Sequence, residues 1–202
     1  DAIRHVLKLR HEGEEDVTVI TQDAVLATFD RILRALTLGG DKLAVDGALL
    51  IGEHGDYPRN EKGQQLYPRR HFFEQIAGVF ASSGRSAPVF CDKHLSYNWP
   101  DALWMVQRAR ELDIPFMAGS SLPTCWRRPF LEYEIGTPLQ AAVSVGYGPL
   151  ESYGFHALET LQCMVERRQG GECGVRAVQC LEGEAMWNWL AHSPTLGGLA
   201  RA

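Results

Sequence analysis

Groups able to move protons or grip hydroxyls crowd into three short stretches: Gly52-Glu53-His54-Gly55-Asp56-Tyr57, Asp92-Lys93-His94 and Gly119-Ser120-Ser121. Each follows a short apolar run with the character of a β-strand. In an open parallel sheet, small ligands bind beyond the carboxyl ends of the strands. Lys93 stands directly after Val89-Phe90-Cys91-Asp92, where burial would lower its pKa into the range of acid–base work. The same position suits a lysine that snorkels out to pair with a neighbouring carboxylate. Position alone leaves both open.

His54 and Asp56 share a loop with Glu53, Tyr57 and Arg59. That composition fits a substrate-lining loop or a surface loop rich in turn formers. His156, Glu159 and Cys163 recur at i, i+3 and i+7, a spacing that puts them on one stripe of a helix. The pair is either a general base with a carboxylate one turn away or a solvent-facing couple. His54, Asp56, Asp92 and His94 are metal-ligating types, yet no H-x-x-x-H or H-E-x-x-H spacing joins them. No metal is therefore expected, and a metal-assisted lyase or hydrolase is the outlying reading.

Composition narrows the classes further. The chain has 202 residues, 45% hydrophobic and 22% charged, within the range of ordinary globular proteins. A net charge of −5 opposes nucleic-acid binding, which calls for a basic surface. The basic pairs Arg69-Arg70, Arg127-Arg128 and Arg167-Arg168 are expected to solvate loops or helix ends. Five cysteines, odd in number and without a C-x-x-C pair, suit reduced thiols and a cytoplasmic setting. No apolar run approaches the roughly 20 residues of a membrane helix, and Asp1-Ala2-Ile3-Arg4-His5 does not resemble a signal peptide.

The elements that must position these groups alternate. Val17–Thr21, Ala48–Ile51, Pro88–Cys91 and Pro115–Ala118 read as strands, the last closing at Gly119. Between them, Ala24–Leu38, His71–Ser83 and Asn98–Leu112 carry apolar residues at helical spacing, ending at Gly39-Gly40 and Gly84 in the first two cases. Asn98 is the expected N-cap, with Asp101 three residues on. Strands alternating with helices imply an α/β fold with a Rossmann-like parallel sheet built from right-handed crossovers. After residue 120 the pattern changes. Strands at Ala141–Tyr147 and Val175–Leu181 and helices at Tyr153–Arg168 and Glu184–His192 describe a second, smaller α+β domain. The expected domains are thus 1–120 and 121–202.

The stretch Val89-Phe90-Cys91-Asp92-Lys93-His94-Leu95, with Ala102, Ala109-Arg110, Ile114-Pro115, Met117 and Gly119, resembles a region of the glucose–fructose oxidoreductase / inositol dehydrogenase family. There a strand runs into a Glu-Lys-Pro motif. Gly154-Phe155-His156-Ala157-Leu158-Glu159 is similar to the same family's Gly-x-His-x-x-Asp helix start. The resemblance spans roughly residues 45–182. It implies hydride transfer between a sugar, cyclitol or related polyol and NAD or NADP, with Lys93 contacting substrate and nicotinamide and His156 as acid/base. Substrate contacts are expected from His54, Asp56, Asp92, His94, Arg127, Arg128 and Glu159, and cofactor contacts from Gly52, Lys93 and Ser120. A homo-oligomer is implied too.

The sequence departs from that pattern in four ways. Asp92 and His94 replace the glutamate and proline of the motif, and Ser152 stands where an aspartate precedes the histidine. No G-x-G-x-x-G follows a strand; Gly146-Tyr147-Gly148 has Glu151 in its third glycine's place. The second domain is also short for the family. The resemblance therefore implies either an N-terminally incomplete member or a non-catalytic, regulatory polyol-binding relative that has lost its cofactor.

Overall fold

A computed structural model describes residues 17–20, 29–51 and 56–201. The chain divides into two compact units, Asp1–Gly119 and Ser120–Ala202.

The first unit is α/β. Four strands, β1 (Val17–Ile20), β2 (Gly47–Leu50), β3 (Val89–Asp92) and β4 (Phe116–Gly119), form one parallel sheet in sequential order. Each neighbouring pair is parallel, as in Leu50↔Cys91 and Cys91↔Ala118. Helices α1 (Phe29–Thr37), α2 (Arg69–Ser83) and α3 (Trp99–Glu111) lie between them in the chain. Parallel neighbours cannot be joined by a tight turn, so helical crossovers are the physical consequence of this order.

Alternation sets the register of the central strands. Ala48 and Leu50 of β2 are buried, as are Val89 and Cys91 of β3, while Phe90 and Asp92 are half-buried. Helix α2 supplies Phe72, Phe73, Ile76, Ala77, Val79 and Phe80, all within one continuous core. Its last turn closes on Gly84, whose left-handed backbone (φ 63°) lets its N–H reach Ala81 O at 3.3 Å. Only a residue without a Cβ adopts that conformation cheaply. Helix α3 begins as expected: Asn98 Oδ1 accepts the Asp101 N–H at 2.9 Å. The expected helix at Ala24–Leu38 is described from Phe29, and its residues 24–28 lie outside the described residues.

The second unit contains a turn of 3₁₀ helix at Leu122–Thr124, a π-helical turn at Leu150–Gly154, and helices α4 (Phe155–Val165), α5 (Glu184–Ala191) and α6 (Pro194–Leu199). The strands expected at Ala141–Tyr147 and Val175–Leu181 are not formed; both segments lack a ladder partner. A single bridge, Thr137↔Arg168, is the strand-like pairing of this unit among the described residues. Apolar and β-branched residues favour a strand in these stretches, but a strand exists only when a second edge satisfies its backbone. Among the described residues, no helix is long and apolar enough to cross a membrane.

Candidate functional site

The Asp92-Lys93-His94 stretch leaves the carboxyl end of β3, which lies between β2 and β4. The ladder runs one residue past β3: the Lys93 N–H donates to Gly119 O at 2.9 Å. Lys93 then turns with φ 67°, a left-handed conformation rare for a residue with a Cβ. This turn fixes the lysine at the strand end. Its Nζ lies 2.6 Å from Asp92 Oδ2, and both side chains are largely covered (17% and 14% exposed). Burial lowers the lysine pKa from its ordinary value. Both sequence readings of Lys93 are thus present together, as a carboxylate-paired lysine that is also desolvated.

Beneath this turn lies a residue that sequence reasoning missed. Arg69, the first residue of α2, is 1% exposed. Its Nε donates to Asp92 O at 3.2 Å, and its guanidinium sits 4.4 Å from the centre of the Tyr67 ring. Nη1 is 3.5 Å from both ring nitrogens of His94. Tyr67 packs edge-on against His94 at 5.7 Å and against Tyr57 at 5.5 Å. The expectation that Arg69 and Arg70 solvate a helix end is corrected for both. Arg70 lies 4.0 Å over the Trp104 ring and pairs with Glu74 and Asp101. The usable signal was the aromatic spacing Tyr57, Tyr67 and His94 around an arginine at a helix start, which a helix drawn from His71 obscured.

The electrostatics follow from burial. His94 is pushed down to about 4, by burial first and then by the positive charges of Arg69 and Lys93, so its imidazole is neutral near pH 7. Cys91 is pushed up to about 12, chiefly by burial, and stays a thiol. Tyr57 is raised by burial, so its hydroxyl keeps its proton. Arg69 is lowered by burial, with Cys91, Tyr67, Asp92 and Tyr57 acting the other way; a guanidinium nonetheless remains charged in a folded protein.

In the second unit, Ser120 and His156 come together. Ser120 Oγ lies 2.5 Å from His156 Nδ1, and the serine is 8% exposed. The Leu122 N–H donates to the same Oγ at 3.0 Å. Glu159 Oε2 accepts the Ser120 backbone N–H at 3.1 Å. His156 and Glu159 therefore engage the 120–122 segment from one face of α4. This corrects the solvent-facing reading of that couple and places the carboxylate on a backbone amide. When Nδ1 carries the hydrogen shared with Oγ, Nε2 carries the ring's lone pair.

No family model, curated protein or solved structure matches this chain.

The other expected site residues fall as follows. Asp56 is exposed, and His54 and Gly52 lie outside the described residues. Arg127 spends its donors locally, on Leu131 O at 3.1 Å, Pro123 O at 3.5 Å and Cys163 Sγ at 3.2 Å. Arg128 is exposed. Among the described residues, no three His, Cys, Asp or Glu side chains are grouped so as to hold a metal ion.

Proposed function

We propose that this chain is an oxidoreductase-like protein acting on a sugar, cyclitol or related polyol by hydride transfer with NAD or NADP. The observation that carries the reading is Lys93, a covered lysine with a lowered pKa, turned out at the carboxyl end of an inner parallel strand. A parallel sheet with helices between its strands supports the α/β part of this reading. A nicotinamide, when bound, supplies the hydride acceptor or donor; the protein's part is binding, orientation and proton handling. Lys93 would hold the substrate hydroxyl through its ammonium hydrogens, with Asp92 fixing the amine. The resemblance gives His156, whose Nδ1 lies beside Ser120 Oγ, the acid/base role.

The dinucleotide phosphates fit less well. No strand of the sheet is followed in the sequence by a G-x-G-x-x-G turn; Thr21-Gln22-Asp23-Ala24 follows β1. That turn is what lets backbone approach a pyrophosphate closely. The missing motif favours a second reading, a non-catalytic or regulatory polyol-binding relative without redox chemistry. Titrating NADH and NADPH while following nucleotide fluorescence and thermal stability separates them. A saturable signal, together with polyol turnover lost in Lys93→Met, is expected from the first. Polyol stabilisation indifferent to both nucleotides leaves the second standing.

A further inference from the structure

The described residues around the Arg69 guanidinium leave its charge without a paired carboxylate. It is almost completely buried, yet none of the described carboxylates pairs with it: Asp92 offers its backbone carbonyl, and its carboxylate goes to Lys93. The remaining contacts are the Tyr67 ring and the His94 ring. A buried charge without a paired carboxylate keeps much of its desolvation penalty. A second uncompensated group lies in the same cluster: the Tyr57 hydroxyl is buried and has no hydrogen-bond partner among the described residues. Such a phenol pays its desolvation with nothing returned. Tyr57 packs edge-on against Tyr67, which carries Arg69 on its ring.

A guanidinium without a paired carboxylate and a phenol without an acceptor share one missing partner among the described residues: an oxygen anion. We propose that Arg69 and Tyr57 bind the anionic group, carboxylate or phosphate, of a small hydroxylated ligand beside Lys93. A guanidinium meets either group in a planar fork, and a phenolic O–H adds a short donor to the ionised oxygen. The ligand class is then a sugar acid or a sugar phosphate rather than a neutral polyol. The same donors would also accept a cofactor phosphate. The inference rests on reading this strand end as a small-molecule site, but not on hydride transfer.

The test is thermal unfolding and calorimetric titration of the full chain at fixed ionic strength and pH 7.5. Gluconate, glucose 6-phosphate, inorganic phosphate, glucose and NADPH are added separately. Gluconate or glucose 6-phosphate should raise the melting temperature saturably while glucose leaves it unchanged. An equal effect of inorganic phosphate assigns the site to phosphate alone, and an effect confined to NADPH assigns it to the cofactor. Arg69→Met should abolish the anion response. Tyr57→Phe guards against a misfolded Arg69 variant: it removes only an unsatisfied hydroxyl, so it should melt no lower than the parent yet bind the anion at least about tenfold more weakly.

Equal stabilisation by glucose and gluconate, no response to any anion, or an undiminished response in Arg69→Met overturns the proposal. Failure of the redox reading looks different. There, anions stabilise the parent and not the variants, while no nucleotide supports turnover.

Discussion

His94 couples the candidate site to pH. Its pKa in the folded chain is about 4, against an ordinary 6.5. Between these values the unfolded chain binds a proton that the folded chain refuses, so stability falls as pH drops from about 6.5 towards 4. The ceiling is on the order of 3 kcal/mol, since one pKa unit is worth about 1.4 kcal/mol. His94→Gln should flatten that part of the profile. Urea unfolding at pH 7 and pH 5 measures it, and a slope unchanged in the variant would show that other groups set it.

Lys93 combines a functional amine with a costly backbone. Lys93→Ala and Lys93→Gly both delete the amine, but only glycine suits φ 67°. Glycine should therefore be more stable than alanine by about 1 kcal/mol, while both variants lose roughly 10²-fold or more of any turnover. Equal stability of the two would mean that the turn relaxes once the side chain is gone.

At the scale of elements, the N-terminus of α3 offers the cleanest measurement. Asn98 caps the Asp101 amide through Oδ1, and its Nδ2 donates to Asp101 Oδ2 at 2.6 Å. Asn98→Ala should cost about 1 kcal/mol in chemical denaturation, and Asn98→Asp should recover less than usual because its charge meets Asp101. The first unit was legible in the sequence at this level. Its strands lie within one or two residues of the apolar runs that announced them, because short runs such as Ala48-Leu49-Leu50 and Val89-Phe90-Cys91 mark strands covered by a core.

The helix start at Arg69 was less legible. A buried cation looks like a solvated one in one dimension, and only the partners it finds from residues 67, 92 and 94 distinguish them. The second unit was read least well. Val143 and Val145 alternate as strand residues do, and Val175 and Val178 add β-branched character, but such a pattern describes a preference and does not supply the neighbouring strand. Ser120 was placed by its position after β4 alone. Its contact with His156, 36 residues away, has no local signature.

Across the whole molecule the apolar packing is unevenly shared. Every fully covered hydrophobic side chain of the described residues, from Ile32 to Ile114, belongs to the first unit. In the second, Val145, Tyr147, Val175 and Val178 are each more than four-fifths exposed, at 85%, 95%, 81% and 86%. Burial of apolar surface is the main favourable term of folding, at about 25 cal/mol per Å². The two units should accordingly differ in local stability. Backbone amides of β3 and α2 are held in a ladder and a helix over a closed core, so their exchange with solvent deuterium requires global opening. Those of 141–147 and 175–181 are held by no ladder and should exchange at least about 100-fold faster. Peptide-resolved hydrogen exchange near pH 7 reads this directly. Comparable protection in both sets would require the exposed valines to be covered in solution, and a dilution series through sedimentation would then show whether a second copy of the chain covers them. Concentration-independent protection would point instead to packing within one chain.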